Sequence, residues 1–303
     1  MVELALGTLG WSSKYPETDM CAMLRMAEEH SLAAIDTANG YDDGRTESRI
    51  AAFGTRLPVW TKAGLARVQG KAEGLEPSAL RAAIEGSMMR LGVQSIDRLY
   101  LHAPDPRTPL EHTLAELALL VGEGKVRQWG ISNYPAWRVV EALTIAASLG
   151  LAPPTDLQVL FNLYAREAEI ELLPMARVKG IGVSVYNPLA GGRLARTTAN
   201  PQGRLETNSY YRSRYGTTEL LDRARQVEEL ARDHGLCLAE CALRAVISQG
   251  DIGTIVLGAR TPAQLEELIR WSRKGPLPAE LAKALSAATQ RWRGMKETYA
   301  RGH

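Results

Sequence analysis

The feature that most constrains this fold is a regular alternation of short apolar runs with longer amphipathic segments. The short runs are rich in Val, Ile and Leu, and their length and composition are typical of buried strands. Eight of them occur along the chain. They cover residues 3–6, 32–35, 57–61, 96–101, 126–131, 156–160, 181–185 and 253–257.

Most segments between these runs are predicted to be helices. Their apolar residues recur at steps of three and four, as in Leu80, Ile84 and Leu91, which is the pattern of a helix with one buried face. Several begin with Pro or an acidic residue, which first helical turns favour. The predicted helices cover residues 17–30, 47–53, 77–91, 109–123, 135–149, 167–179, 218–234 and 262–273.

Strands that alternate with helices predict a parallel sheet with right-handed crossovers. Eight such units favour a closed barrel, and the GxGxxG motif that an open dinucleotide-binding sheet normally carries is missing. We therefore predict one α/β domain over residues 1–303, folded as a (β/α)8 or TIM barrel. We expect an extra C-terminal helix in residues 278–300, and a long loop without regular structure, 191–216, over the C-terminal mouth.

Polar residues stand at or just after the ends of most of these runs. The carboxyl ends of parallel barrel strands meet at one mouth, and TIM-barrel active sites lie there. We therefore expect these side chains to form a single site. They are Asp36, Tyr41, Lys62, His102, Ser132, Asn133, Gln158 and Tyr186.

Four of these residues predict proton-transfer chemistry. Asp36 and Lys62 are expected to form a partly buried ion pair, since burying either charge alone is costly. A phenol has an ordinary pKa near 10, and an ammonium beside it lowers that pKa. Tyr41, with the imidazole of His102 nearby, would then serve as a general acid for a developing alkoxide. An alkoxide develops when hydride adds to a carbonyl carbon, so these residues indicate carbonyl reduction.

The remaining strand ends suit a nicotinamide cofactor as the hydride source. Ser132, Asn133 and Gln158 offer the donors and acceptors that a carboxamide requires. Tyr186 offers a flat face on which the nicotinamide ring can stack.

Two further segments indicate binding sites for phosphate groups. Residues 187–192 contain paired glycines, so their backbone can approach a pyrophosphate closely. Residues 258–262 open a predicted helix, whose N-terminus attracts anions, and Arg260 adds a positive charge there.

Seven sequence blocks occur in order along nearly the whole chain. They are DTANGYDDGRTE, WTKAG, LYLHAPDP, GKVRQWGISNY, LQVLFNLYARE, VSVYNPLAGG and IVLGARTPAQLEEL. Through these blocks the chain resembles the aldo-keto reductase family. The blocks ISNYPAW, FNLYARE and YYRSRY make it most similar to the branch of aflatoxin-aldehyde and succinic-semialdehyde reductases. The resemblance implies a barrel enzyme that reduces an aldehyde or ketone with NADPH.

The resemblance also implies roles for individual residues, with Tyr41 as the proton donor. The implied catalytic residues are Asp36, Tyr41, Lys62 and His102. The implied residues at the nicotinamide and pyrophosphate are Gly7, Thr8, Leu9, Asp36, Ser132, Asn133, Gln158, Tyr186, Asn187, Leu189 and Gly191. Those at the adenosine end are Gly258, Ala259, Arg260, Gln264 and Glu267. The implied substrate-binding residues are His102, Arg212, Arg214 and Arg301.

The resemblance leaves the choice of nicotinamide cofactor open at two positions. Many relatives carry Lys where Gly258 stands and Arg where Gln264 stands, both near the 2′-phosphate of NADPH. Without those charges, a preference for NADPH rests mainly on Arg260. NADPH is the expected cofactor and NADH is the second candidate.

Two other functions fit parts of the pattern. The resemblance extends to potassium-channel beta subunits, which use this barrel as a cofactor-holding partner; we expect no long docking extension before the first strand, which favours the enzyme. A lyase or aldolase could use Lys62 as a Schiff-base nucleophile, but pairing with Asp36 would keep that amine protonated.

Composition argues against several other classes of function. The net charge is +2 and the basic residues are scattered, so neither nucleic acid nor a membrane surface is an expected partner. The N-terminus lacks the pattern of a secretory signal. The three cysteines lie in helix-like segments without further ligands, so we expect small buried side chains, no metal site and a cytoplasmic location. The oligomeric state stays undecided.

Overall fold

A closed ring of eight parallel strands forms the centre of the computed structural model, which describes residues 2–11, 15–68, 70–197 and 204–289. The strands are β1 (Glu3–Gly7), β2 (Ala34–Asp36), β3 (Val59–Ala63), β4 (Arg67–Val68), β5 (Lys71–Ala72), β6 (Ile96–Leu101), β7 (Val126–Ser132), β8 (Asp156–Leu160), β9 (Gly182–Tyr186) and β10 (Thr254–Gly258). The ring runs β1-β10-β9-β8-β7-β6-β3-β2, while β4 and β5 form a separate antiparallel ribbon. The predicted TIM barrel is therefore confirmed, and each predicted run overlaps one barrel strand.

Helices cover the outside of the barrel, and the main hydrophobic core lies between them and the strands. The helices are α1 (Glu17–Glu29), α2 (Arg45–Phe53), α3 (Pro77–Leu91), α4 (Leu110–Gly122), α5 (Ala136–Ser148), α6 (Leu172–Lys179), α7 (Arg204–Thr207), α8 (Ser209–Tyr215), α9 (Thr218–Arg232), α10 (Leu238–Ile247), α11 (Pro262–Arg273) and α12 (Ala279–Thr289). Their buried stripes supply about half of the buried residues of this core, and the strands and loops supply the rest.

The strand register brings the predicted site residues to one end of the barrel. Gly7 at the end of β1 pairs with Asp36 at the end of β2 and with Gly258 at the end of β10. Ser132 at the end of β7 pairs with Gln158 in β8. Because the strands are parallel, all of these ends meet at the C-terminal mouth.

Packed side chains fill the barrel below that mouth. The rings of Trp60 and Tyr100 lie edge to face with centroids 6.4 Å apart, and the guanidinium of Arg98 lies 4.2 Å from the centroid of Trp60. The hydroxyl of Tyr100 donates to the Asp156 carboxylate at 2.8 Å. The barrel interior is thus a core rather than a channel, which leaves the C-terminal mouth as the place for a ligand.

Two predicted segments differ from the structure. The helix predicted over 167–179 is divided into a 3-10 turn, Glu167–Glu169, and α6. Pro174 explains the division, because a proline is tolerated in the first turn of α6 but its ring would clash with the carbonyl of residue 170 in a continuous helix. The loop predicted over 191–216 contains α7 and α8, and the Asn208 side chain caps α8 by accepting from the Tyr211 backbone N–H.

Other expectations have mixed outcomes. The expected C-terminal helix is present as α12, and residues 290–303 lie outside the described part of the chain. Cys241 is buried as expected, but Cys21 is only half-buried, and Cys237, at the N-cap of α10, is exposed. None of the helices in the described ranges is both long and apolar enough to cross a membrane.

A second hydrophobic cluster lies beside the mouth and is separate from the main core. We call residues 190–197 and 204–216 the cover. Tyr211 and Tyr215 of the cover pack with centroids 6.4 Å apart, and they belong to one cluster with Leu220 of α9, Leu238 of α10 and Leu281 of α12. The cover therefore packs with the last helices of the chain in a cluster separate from the main core, and the Tyr215 hydroxyl also accepts from Asn187, just after β9, at 3.0 Å.

Candidate active site

A buried ion pair lies at the base of the mouth. The Lys62 ammonium nitrogen is 2.8 Å from each carboxylate oxygen of Asp36 and 2.8 Å from the carbonyl oxygen of Thr37. The Gln158 amide donates to Asp36 Oδ1 at 2.7 Å. The predicted pair is thus present, and Gln158, predicted to hold a carboxamide, is tied to it.

The contacts of Lys62 are those of a charged amine. Burial lowers the pKa of Lys62 from its ordinary value, and the Asp36 carboxylate opposes that shift. An ammonium has three N–H donors, and three acceptor oxygens stand around this nitrogen. Lys62 therefore acts on its surroundings through its charge rather than through a free lone pair.

Tyr41 begins a 3-10 turn, Tyr41–Gly44, that follows β2. The Lys62 nitrogen lies 5.3 Å from the centroid of its ring. The next two residues, Asp42 and Asp43, both have left-handed backbone angles, with φ of 50° and 52°. Non-glycine residues adopt this conformation at an energetic cost, so the turn that carries Tyr41 is strained.

His102 faces Tyr41 across the mouth. Their ring centroids are 6.2 Å apart, and the rings meet edge to face. Burial, with the nearby charge of Lys62, lowers the pKa of His102 to about 3, so the imidazole is neutral near pH 7. Its Nδ1 is buried without a hydrogen-bond partner among the described residues.

Asn133 connects the two sides of the site. It has a left-handed backbone, φ 64°, and its amide donates to the carbonyl oxygen of His102 at 2.9 Å and to Ser132 Oγ at 3.0 Å. Its side-chain oxygen accepts from the Tyr186 hydroxyl at 2.7 Å, which fixes that ring. Ser132 Oγ in turn donates to the carbonyl oxygen of Gln158 at 2.9 Å. The second lone pair of the Asn133 oxygen can still accept a hydrogen bond, as a carboxamide would require.

These side chains line a cavity of about 640 Å³ that extends from the barrel mouth under the cover to the start of α11. All four residues predicted to be catalytic line it. The predicted cofactor residues that line it are Gly7, Leu9, Asp36, Ser132, Asn133, Gln158, Tyr186, Asn187, Leu189, Gly191, Gly258, Arg260, Gln264 and Glu267. The volume is in the range of sites for small-molecule ligands and cofactors.

The middle of the cavity is shaped for close approach of a ligand to the backbone. Asn187 has φ 60°, and its side-chain oxygen accepts from the Gly191 N–H at 2.6 Å. Gly191 has φ 65°, and a β-carbon at this position would collide with the ring of Tyr211. This turn therefore requires glycine and leaves room for a group such as a pyrophosphate.

The far end of the cavity is the start of α11. Thr261 caps this helix by accepting from the Gln264 N–H at 3.3 Å, and the Gln264 side chain accepts from the Arg260 N–H at 3.0 Å. Arg260 and Glu267 line the cavity beside this helix start. A cation at a helix N-terminus suits a phosphate group, so these residues fit the adenosine end of a dinucleotide.

Three predicted ligand residues, Thr8, Ala259 and Arg212, do not line the cavity, and a fourth, Arg301, lies outside the described residues. Thr8 and Ala259 are buried and are not among the cavity-lining residues, and Thr8 Oγ1 donates to the carbonyl oxygen of Asp36 at 2.9 Å. Arg214 lines the cavity, whereas the Arg212 guanidinium donates to the carbonyl oxygens of Leu205 and Glu206 and holds α7.

Sequence reasoning missed part of the lining. Arg193, Arg196 and Tyr211 of the cover line the cavity. The sequence signal for this segment is limited to the high content of Gly, Arg and Tyr in residues 191–216. Trp271 is an apolar residue of a helix and looks like core from the sequence. No group of three His, Cys, Asp or Glu side chains that could hold a metal ion occurs in the part of the chain that the structure describes.

Comparison with known proteins gives matches over nearly the whole chain. The model of the Aldo/keto reductase family matches residues 3–290. Aflatoxin B1 aldehyde reductase member 2 of Rattus norvegicus is 33% identical over 309 residues, which cover 93% of this chain and 83% of the relative. Aldo-keto reductase family 7 member A3 of Homo sapiens is 31% identical over 305 residues, which cover 93% of this chain and 92% of the relative.

A solved structure has the same fold over nearly the whole chain. The glycerol dehydrogenase of Gluconobacter oxydans superposes with a TM-score of 0.80 at 27% sequence identity. The superposition covers 98% of this chain and 94% of that chain.

Proposed function

Since the chain belongs to the aldo/keto reductase family and is therefore a carbonyl reductase that uses a nicotinamide cofactor, we propose that it uses NADPH and that Tyr41 donates the proton. The observation that carries this proposal is the grouping of Tyr41, His102 and the Asp36–Lys62 pair at one cavity wall.

Elimination among these four groups supports Tyr41 as the acid. His102 has a pKa of about 3, so its imidazole is neutral near pH 7 and is not an imidazolium that could donate the proton. The three donors of Lys62 are directed at Asp36 and Thr37. Tyr41 thus remains as the O–H group that lines the cavity beside a positive charge.

The reaction then follows from what each side chain can do. Reduced nicotinamide, when bound, supplies a hydride for the carbonyl carbon. Tyr41 donates a hydrogen bond to the carbonyl oxygen and transfers its proton as negative charge develops there. The Lys62 ammonium, 5.3 Å from the ring centroid, stabilises the phenolate that remains. The neutral imidazole of His102 can donate a hydrogen bond that orients the same oxygen.

The charge of the cavity supports NADPH as the cofactor. Apart from the Asp36–Lys62 pair, the charged residues that line it are Arg193, Arg196, Arg214 and Arg260, with Glu206 and Glu267. This excess of positive charge favours a ligand with several phosphate groups. Arg260 at the start of α11 is the residue that we assign to the 2′-phosphate.

An aldehyde is the substrate class that we propose. Several of the similar proteins are named as aflatoxin aldehyde reductases, which indicates an aldehyde carbonyl as the acceptor. Apolar side chains that are not assigned to the cofactor, among them Leu65 and Leu205, also line the cavity and suit an aromatic or aliphatic aldehyde.

The proposal is tested by the variant Tyr41→Phe with an aromatic aldehyde, by the absorbance of NADPH. Loss of the proton donor is expected to lower kcat about a hundredfold or more. Cofactor affinity, measured by quenching of protein fluorescence to which Trp271 contributes, is expected to stay within about twofold. Tyr134→Phe is the matched control, because Tyr134 is buried and does not line the cavity. Undiminished turnover in Tyr41→Phe would refute the assigned role.

The same assay separates the other two candidate functions. A cofactor-holding regulatory subunit would bind NADPH tightly and show negligible turnover with any of a panel of carbonyl compounds. A Schiff-base enzyme would give a borohydride-trapped adduct on Lys62, but the three acceptors around that amine argue against it.

A further inference from the structure

A carboxylate outside the cavity connects the loop before the catalytic phenol with the residue that follows the strand of the catalytic amine. Glu73 lies between the ribbon strand β5 and α3, and it is partly buried. Its Oε1 accepts from the Asn39 amide at 2.7 Å, and its Oε2 accepts from the Gly64 N–H at 2.6 Å. Neither Glu73, Asn39 nor Gly64 lines the cavity.

These two contacts join residues that adjoin the active site. Asn39 is two residues before Tyr41, and Gly64 is two residues after Lys62. Asn39 is buried, and its backbone N–H also donates to the Lys62 carbonyl oxygen at 3.0 Å. Gly64 has φ 113°, and a β-carbon there would meet the side chain of Leu75, so this position requires glycine.

The Glu73 carboxylate is the hydrogen-bond acceptor for the Gly64 N–H and the Asn39 amide. Burial raises the pKa of Glu73, and the hydrogen bonds from Gly64, Asn39 and Ala66 oppose that shift. If the carboxylate were removed, the Gly64 N–H and the Asn39 amide would lose their acceptors in a poorly hydrated place, which is unfavourable. The loops would then be expected to move to find water or other acceptors.

Movement of the first loop would displace Tyr41. Asp42 and Asp43, directly after Tyr41, have strained left-handed backbones that persist only while their surroundings hold them. On the C-terminal side of Tyr41, the Asp42 carboxylate accepts from Arg45 at 2.7 Å and from Arg49 at 3.0 Å. On the N-terminal side of Tyr41, the corresponding support is the hydrogen bond from Asn39 to Glu73.

We infer that Glu73 is a positioning residue for the proton donor: it fixes Tyr41 relative to Lys62 by joining Asn39 to Gly64. The inference rests on the proposed role of Tyr41. The residue sets the geometry of proton transfer without contact to substrate or cofactor, so its loss affects kcat more than binding.

The test compares three variants with the wild-type protein. Glu73→Leu removes both acceptor oxygens. In Glu73→Gln the side-chain oxygen can still accept from the Gly64 N–H. The new N–H₂ group can donate to the side-chain oxygen of Asn39, once the Asn39 amide has rotated by 180°. Glu76→Leu is the matched control, because the exposed Glu76 carboxylate also accepts from two backbone N–H groups, at the start of α3, but contacts nothing at the site.

Glu73→Leu is expected to lower kcat by about tenfold to a hundredfold, since a displacement near 1 Å in a catalytic group has effects of that size. Its KM for the aldehyde and its NADPH affinity are expected to stay within about threefold. Glu73→Gln is expected to recover most of the wild-type kcat. Glu76→Leu is expected to lower Tm but not kcat.

Hydrogen–deuterium exchange gives a second readout that needs no turnover. The Gly64 amide and the segment 38–44 are expected to exchange faster in Glu73→Leu than in the wild type or Glu73→Gln. The inference is overturned by a Glu73→Leu protein with unchanged kcat or unchanged exchange in that segment. A wild-type protein without activity on any carbonyl compound would instead refute the proposed function, and exchange would then decide the positioning role.

Discussion

Acid is expected to weaken this fold through His102. Burial and the nearby Lys62 ammonium lower the pKa of its imidazole from 6.5 to about 3. Between those values the unfolded chain binds a proton on this residue and the folded chain does not. The stability that the neutral imidazole contributes is therefore complete above pH 6.5 and is lost progressively as the pH falls toward 3. Each pH unit within this window corresponds to about 1.4 kcal/mol, so a fall from pH 7.5 to pH 5 removes about 2 kcal/mol.

The measurement is urea unfolding of the wild type and His102→Gln at both pH values. Other groups titrate over this range in both proteins, so the difference between them isolates His102. The wild type is expected to lose about 2 kcal/mol more than the variant on acidification. His234→Gln, which replaces an exposed histidine, is expected to behave as the wild type. Equal losses in the wild type and His102→Gln would show that the imidazole is not held neutral by its surroundings.

Two further predictions concern the cofactor end of the cavity. Gly191→Ala places a β-carbon against Tyr211 at φ 65°, so we expect urea unfolding to show a loss of about 1–2 kcal/mol and NADPH titration to show weaker binding. Gly122→Ala, in open space at the end of α4, should not destabilise the fold, and an equally harmless Gly191→Ala would contradict the argument. Arg260→Gln is expected to raise the Kd of NADPH about tenfold and that of NADH much less; equal weakening of both would remove Arg260 from the 2′-phosphate.

The sequence was sufficient to predict the barrel and most of the cavity. Strands recur as separate apolar runs, and residues such as Asp36 and Ser132 come directly at strand ends, where the parallel register fixes their place. The helix predicted over 167–179 is wrong at its start, although Pro174 within that span is a sequence signal against one continuous helix.

The remaining features depend on contacts that no local pattern records. Glu73 meets Asn39 across 34 positions in sequence, and the ribbon before it has no apolar periodicity. Arg212 resembles a ligand-binding residue in sequence, but its guanidinium satisfies backbone carbonyls of α7. All residues of α10 are buried, and its charged residues Glu240 and Arg244 pair with each other at 3.0 Å instead of facing solvent.

The separate packing of the cover affects how the substrate selectivity of such a protein can change by mutation. Tyr211 and Tyr215 belong to a hydrophobic cluster with Leu220, Leu238 and Leu281 that is separate from the main core. Substitutions there can reshape the space above Tyr41 while the barrel strands, and the turn after β2 that carries Tyr41, keep their packing. Selectivity for one carbonyl compound over another can therefore diverge among descendants of one ancestor, or be engineered by segment exchange, with the reaction chemistry preserved.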